Sequence, residues 1–74
     1  MEVLIDARGL LCPLPLLRAR AALGGLGDAD TLVVLATDRE APIDLAALAA
    51  DVGRAFSSAE RDGVWRLRLA AADQ

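Results

Sequence analysis

The 74-residue chain is apolar and mildly acidic: 55% of its residues are hydrophobic, and eight arginines against eleven aspartates and glutamates give a net charge of −3. This length predicts one small domain, residues 1–74, without a large buried cleft. The acidic balance argues against direct nucleic-acid binding, which needs clustered cations. No apolar run approaches the ~20 residues that span a bilayer, and no signal-peptide pattern is seen. We therefore expect no membrane contact and a cytoplasmic location.

The first third of the chain predicts a strand followed by a helix. Residues 3–7 form a β-prone apolar run that ends before Gly9. A helix is expected over residues 13–23, because Pro13 and Pro15 suit a first helical turn, where backbone N–H groups have no intrahelical partner. The side chains that share its apolar face are Leu16, Ala19, Ala22 and Leu23. Gly24 and Gly25 are expected to end this helix.

The middle of the chain predicts a buried strand and a second helix. Residues 31–36 are uninterrupted and β-prone, as in a central strand. The second helix is expected to begin somewhere in 39–44 and to end before Gly53. Asp38 and Asp44 are both candidate N-caps, and Pro42 between them allows a turn before the helix proper. Its apolar side is predicted to carry Leu45, Leu48, Ala49 and Val52.

The last third predicts a hairpin of strands 55–61 and 64–70, because Asp62-Gly63 favours a two-residue type I′ turn. This turn sets Arg61 opposite Val64, and it places Phe56, Trp65, Leu67 and Leu69 on one face. The other face carries Ala55, Ser57, Ala59, Val64, Arg66 and Arg68. The expected fold is a two-layer α/β sandwich of order β-α-β-α-β-β, with a mixed four-stranded sheet and both helices on one face. Residues 71–74 are expected to be a frayed tail.

Cys12 is the only cysteine and lies between the first strand and the first helix. A helix start favours thiolate over thiol, and Arg8 would add to this effect if its guanidinium turned toward the sulfur. Each effect is small at an exposed site. The sequence therefore predicts a reactive thiol with a modestly lowered pKa.

The residues that are missing narrow the chemistry of Cys12. The chain has no histidine to serve as the base of a cysteine hydrolase and no second cysteine to resolve a disulfide. A zinc site needs about four ligands, so we expect no metal and no cofactor. The chemistry that remains for Cys12 is that of a single sulfur, which accepts a group and passes it on. The alternative is that Cys12 is a buried side chain that only fills space in the core. On this alternative, Arg8, Arg66 and Arg68 are ordinary surface arginines, and Asp38 and Asp44 are helix caps.

The stretch Leu4-Ile5-Asp6-Ala7-Arg8-Gly9-Leu10-Leu11-Cys12-Pro13-Leu14-Pro15-Leu16-Leu17 resembles the signature of the TusA-like (SirA/YedF-type) sulfur-carrier family, built around Cys-Pro-x-Pro. The resemblance continues through Ala36-Thr37-Asp38, the helix from Asp44 to Gly53 and Asp62-Gly63-Val64-Trp65-Arg66. It implies that Cys12 carries sulfane sulfur as a persulfide, and that Pro13 and Pro15 are the family's prolines. Gly9 and Arg8, just before the cysteine, are the other expected supporting residues.

The resemblance also implies two kinds of protein partner. Family members receive sulfur from a cysteine desulfurase or a rhodanese-like donor and pass it to an acceptor protein, for tRNA thiolation, molybdenum-cofactor enzymes or sulfur metabolism. Such a chain acts with partner enzymes and is not a self-contained catalyst. A different class of function stays open at this point: a non-catalytic regulatory or interaction module that binds through Ser57, Ala59, Arg66 and Arg68, with Cys12 as packing.

Overall fold

The computed structural model of the protein describes residues 1–71. The predicted frayed tail lies almost wholly outside the described residues. The six elements are β1 (Glu2–Ala7), α1 (Leu14–Leu23), β2 (Thr31–Ala36), α2 (Ala41–Val52), β3 (Ala55–Arg61) and β4 (Val64–Ala70). Their order is the predicted β-α-β-α-β-β.

The four strands form one mixed sheet in the order β1-β2-β4-β3. Strand β1 pairs with β2 in parallel and places Ala7 beside Ala36, whereas the β2–β4 and β3–β4 pairs are antiparallel. The predicted hairpin register is confirmed, because Arg61 lies opposite Val64. The φ angles of Asp62 (54°) and Gly63 (81°) are both positive, as a type I′ turn requires.

The core lies between one face of the sheet and the two helices, which confirms the predicted two-layer fold. Alternate residues of each strand point into it, together with the apolar faces of α1 and α2. Its fully or nearly fully buried members are Ala7, Ala19, Leu32, Val34, Ala36, Ala41, Leu45, Leu48, Ala49, Leu67 and Leu69. Val33 is also fully buried but belongs to the opposite face, where the register sets it between Leu4 and Arg68.

Both helices end as the sequence indicates, but their starts differ in detail. Helix α1 begins at Leu14, because the φ and ψ angles of Pro13, −99° and 20°, fall outside the helical range. Pro15 lies in the first turn, as expected. Helix α2 ends at Gly53, whose φ of 73° is the left-handed conformation that glycine adopts without strain.

Three expectations for α2 are wrong. The helix begins at Ala41, so Pro42 sits in its first turn and does not divide the segment. For the same reason Asp44 is a residue of the first turn, and Glu40 holds the N-cap position, so neither Asp38 nor Asp44 is the N-cap. Val52 is 47% exposed, because coverage of the sheet by this helix ends near Ala49. None of the helices within residues 1–71 has both the length and the apolar character needed to cross a membrane.

Candidate functional site

Two loops meet at one end of the sheet and form the candidate site. Because β1 and β2 are parallel and end side by side at Ala7 and Ala36, the chain leaves both strands at the same edge. The first loop carries Cys12 toward α1, and the second carries Asp38 toward α2. The carboxyl ends of neighbouring parallel strands are a common place for functional groups to gather.

Hydrogen bonds tie the two loops together. The backbone N–H of Gly9 donates to Thr37 Oγ1 over 2.9 Å. One carboxylate oxygen of Asp38 accepts the N–H of Cys12, and the other accepts the N–H of Glu40 over 3.1 Å. Gly9 itself has a φ of +82°, a conformation that suits glycine. The second loop therefore fixes the backbone on both sides of the turn that presents Cys12.

We expect Asp38→Ala to lower the free energy of unfolding by about 1–2 kcal/mol, the usual loss when a carboxylate that accepts backbone N–H groups is removed. Two backbone donors, those of Cys12 and Glu40, lose their acceptor in this variant. Urea unfolding followed by circular dichroism measures the change. Asp28→Ala, which removes the same charge from an exposed loop position, is the matched control. Equal stabilities of the two variants would contradict the assigned role of Asp38.

The thiol of Cys12 is exposed, so the interpretation of this residue as buried filler is wrong. Its Sγ donates a hydrogen bond to Asp44 Oδ2 over 3.3 Å. Asp44 reaches the sulfur from the first turn of α2, and its neighbour Leu45 is fully buried against the sheet. The helix that completes the core thus also places a carboxylate beside the cysteine.

The predicted lowering of the thiol pKa is wrong. The hydrogen bond to Asp44 raises the pKa of Cys12, and partial desolvation and the negative charges of Asp44, Asp38 and Glu40 raise it further. Helix α1 does not offset this effect, because Pro13 and Pro15 remove N–H donors from its start. The resting protein therefore holds Cys12 as a thiol.

Arg8 does not turn toward the sulfur. Its Nε donates to Asp6 Oδ1 over 2.8 Å and its Nη2 to Asp6 Oδ2 over 2.7 Å, a bidentate pair. This pair lowers the pKa of Asp6 to about 2, since the hydrogen bonds from Arg8 favour the charged carboxylate. The guanidinium is thus paired with a residue two positions before it, at the end of β1.

The Asp6–Arg8 pair predicts a pH dependence that can be measured directly. Because the folded pKa of Asp6 lies below its unfolded value, the contribution of this pair to stability is present above about pH 4 and is lost as the pH falls toward 2. We expect carboxyl NMR titration to give a pKa near 2 for Asp6 and a return toward its ordinary value in Arg8→Gln. Arg20→Gln, an exposed charge change on α1, should leave it unaltered. A normal Asp6 pKa in the unmodified protein would contradict the pairing.

The other predicted supporting residues take structural positions. Pro13 is exposed next to the cysteine, and Pro15 is buried in the first turn of α1. Leu11 and Leu14, on either side of the Cys12-Pro13 pair, are 71% and 44% exposed. Both apolar side chains therefore lie open to solvent beside the cysteine. Within residues 1–71, no three His, Cys, Asp or Glu side chains are arranged to hold a metal ion.

Sequence reasoning missed the part that Asp38 and Asp44 play at the cysteine. They stand 26 and 32 residues from Cys12 in the chain, and their sequence positions indicate only helix caps. The parallel pairing of the first two strands is the signal that would have found them, because it brings the two following loops together.

The open face of the sheet carries Ser57, Ala59, Arg66 and Arg68, the four residues assigned to an interaction module. All four are exposed, and the register sets Ser57 beside Arg68 and Ala59 beside Arg66. Arg66 lies 3.7 Å from Glu2 in an exposed ion pair, an arrangement that contributes little to stability. The register also sets Arg66 opposite Leu35, one residue before the carboxyl end of β2.

Comparison with known proteins agrees with this arrangement. The family model "Sulfurtransferase TusA" matches residues 3–70. A relative from Neisseria meningitidis serogroup A is 47% identical over 64 residues, which are 85% of this chain and 86% of the relative. The "Sulfur carrier protein TusA" of Allochromatium vinosum is 37% identical over 59 residues, which are 80% of this chain and 78% of that protein.

A solved structure has the same fold over the full length. The crystal structure of a SirA-like protein from Desulfitobacterium hafniense superposes with a TM-score of 0.86 at 33% sequence identity, and the match covers 99% of this chain and 100% of that one. The family model, the relatives and the fold agree with the Cys-Pro-x-Pro motif at residues 12–15. The chain belongs to the TusA family and is a sulfur carrier protein.

Proposed function

We propose that Cys12 is the residue that carries the sulfur, as a persulfide. The observation that carries this proposal is the exposed thiol at the tip of a loop that Asp38 and Thr37 hold in place. A thiol in this position is accessible to a large reactant, because Cys12 is exposed to solvent. An exposed sulfur on a fixed loop suits exchange between proteins.

Exchange at Cys12 needs no internal acid–base pair. The Cys12 sulfur attacks the terminal sulfur of a donor persulfide, a new S–S bond forms at Cys12, and the S–S bond of the donor breaks. The donor leaves as a thiolate and takes up the proton that Cys12 gives up, so no net oxidation occurs. The partner protein positions the two sulfur atoms for attack, and most of the rate acceleration of such a step comes from this positioning.

The supporting residues have distinct roles in this proposal. Gly9 allows the turn that follows β1, Arg8 braces that turn through Asp6, and Pro13 and Pro15 fix the backbone after the cysteine. They act on the position of Cys12 and do not touch the transferred sulfur. In this chain they are positioning residues.

The chemistry of the transferred sulfur indicates which proteins can act as partners. The donor is a protein that forms a persulfide, such as a cysteine desulfurase or a rhodanese-like enzyme, and the acceptor is a thiol-bearing protein or enzyme. Delivery for tRNA thiolation, a molybdenum-cofactor enzyme or another sulfur route would then pass through that acceptor, without direct contact between this chain and nucleic acid. A lone thiol suits a reducing compartment, so we place the exchange in the cytoplasm.

Intact-mass measurement tests the proposal. The protein is incubated with a cysteine desulfurase and cysteine, or with a rhodanese and thiosulfate, and then weighed before and after reduction. We expect a gain of one sulfur atom that dithiothreitol removes. If neither donor adds sulfur, the proposal fails and the non-catalytic module, binding through the open face of the sheet, becomes the better account.

A further inference from the structure

The charged groups that act on the Cys12 thiol in the described structure all carry negative charge. Asp44 accepts its hydrogen over 3.3 Å, and Asp38 and Glu40 stand just before the same helix. On the β1 side, Arg8 is already paired, since it binds both oxygens of Asp6. The first turn of α1 adds no acidic group and contains Pro15.

We propose that Asp44 is a positioning and specificity-determining residue, which holds the Cys12 thiol in its protonated form until a partner sets a cationic group against the Asp44 carboxylate. This inference rests on the proposed function of Cys12. It names the recognition chemistry of the partner: an arginine or lysine beside the reacting sulfur of the donor or acceptor protein.

The physical reason is the change in what Asp44 does when a cation arrives. In the free protein the carboxylate stabilises the S–H group as a donor and opposes the thiolate, which would lie against a like charge. A guanidinium or ammonium group on the partner takes over the carboxylate oxygens and cancels their charge. The thiol then loses its acceptor, and its proton leaves with the donor sulfur whose S–S bond is broken.

The same contact limits side reactions of a lone exposed thiol. Thiol–disulfide exchange depends on the thiolate fraction of the attacking sulfur. Keeping that fraction low in the free protein, and raising it in the docked complex, directs the chemistry toward matched partners. The acidic surroundings also favour cationic reactants over anionic ones at the encounter stage.

The first test is the rate of Cys12 alkylation by iodoacetamide as a function of pH, in the full chain. We expect Asp44→Asn to shift the rate profile to lower pH and to react on the order of threefold to tenfold faster at pH 7, with the larger figure at low salt. Asp51→Asn, which makes the same charge change at an exposed position on the same helix, should follow the unmodified protein. Identical profiles for Asp44→Asn and Asp51→Asn would overturn the proposal.

Asp44→Glu is the control that separates loss of the carboxylate from a structural effect of the substitution. It restores a carboxylate on the same turn of α2, so we expect its profile to return toward that of the unmodified protein. Circular dichroism on all variants checks that the fold is kept. If Asp44→Glu reacts as fast as Asp44→Asn while both are folded, the carboxylate is not the cause and the proposal fails.

The second test is charge selectivity. Methanethiosulfonate reagents that differ only in carrying an ammonium or a sulfonate group are reacted with Cys12. We expect the cationic reagent to react several-fold faster than the anionic one, and this ratio to fall in Asp44→Asn but not in Asp51→Asn. An equal ratio in all three proteins would contradict a role for Asp44 in selecting cationic partners.

Neither readout involves a sulfur donor, so the two proposals fail separately. If the protein loads sulfur but Asp44→Asn has an unaltered alkylation profile, the inference about Asp44 fails and the carrier role of Cys12 stands. A shifted profile without sulfur loading by any donor removes the proposed function, and with it the partner chemistry assigned to Asp44.

Discussion

Cys12→Ser is expected to abolish sulfur loading without any change in the melting temperature. The serine hydroxyl cannot form a persulfide, and the chain has no other cysteine to take its place. Cys12 is exposed and contributes no side chain to the core, so its replacement costs no buried apolar contact. Intact mass after incubation with a persulfide donor measures loading, and thermal unfolding measures stability.

The control for this variant is the unmodified protein blocked with iodoacetamide before the donor is added. Both samples are expected to keep their original mass after exposure to the donor. Sulfur that appears in Cys12→Ser and is removed by dithiothreitol would contradict the assignment of Cys12 as the carrier residue.

Leu45→Ala is expected to lower the free energy of unfolding by about 2–5 kcal/mol, which is a large share of the total stability of a domain of this size. Leu45 is fully buried between α2 and the sheet, so the substitution removes apolar contacts and leaves a cavity. The same residue anchors the turn of α2 that carries Asp44. Urea unfolding followed by tryptophan fluorescence, with Trp65 as the reporter, gives the free energy.

Ile43→Ala is the matched control, because it shortens an apolar side chain two positions away that is 65% exposed. Its loss should be far smaller, since alanine favours the helix and little buried surface is lost. If both variants are equally destabilised, the face of α2 that packs on the sheet has been misassigned.

Much of the fold follows from local patterns in the chain. Asp62-Gly63 favours a turn with positive φ at both positions, and that turn alone fixes the pairing of β3 with β4. Period-two and period-3.6 patterns then place Leu67, Leu69 and Leu45 in the core. These features are predictable because each depends on residues close together in the sequence.

The electrostatics of the site did not follow from such patterns. Among the residues near Cys12 in the chain, the helix start and Arg8 both favour a lowered thiol pKa. In the fold, Arg8 is paired with Asp6, and Asp44, which is 32 residues from Cys12 in the chain, accepts the hydrogen bond of the thiol. A charge at hydrogen-bonding distance outweighs a helix dipole whose first N–H groups are removed by proline. Long-range contacts of this kind depend on the parallel pairing of β1 with β2.

Side chains from the second loop and from α2 surround Cys12. Thr37 and Asp38 hold the loop, and Asp44 holds the thiol. Leu11 and Leu14 are exposed beside the cysteine. On the account proposed above, the chain supplies the sulfur-bearing residue and its partner supplies the activation.

The most direct test of the carrier role is a complete transfer cycle. The protein is loaded with sulfur by a cysteine desulfurase, separated from the donor, and mixed with a reduced acceptor protein, and the intact masses of both proteins are followed over time. We expect the carrier to lose the mass of one sulfur atom as the acceptor gains it, at equal rates. A loaded carrier that keeps its sulfur with every acceptor, or releases it only as free sulfide, would contradict the account.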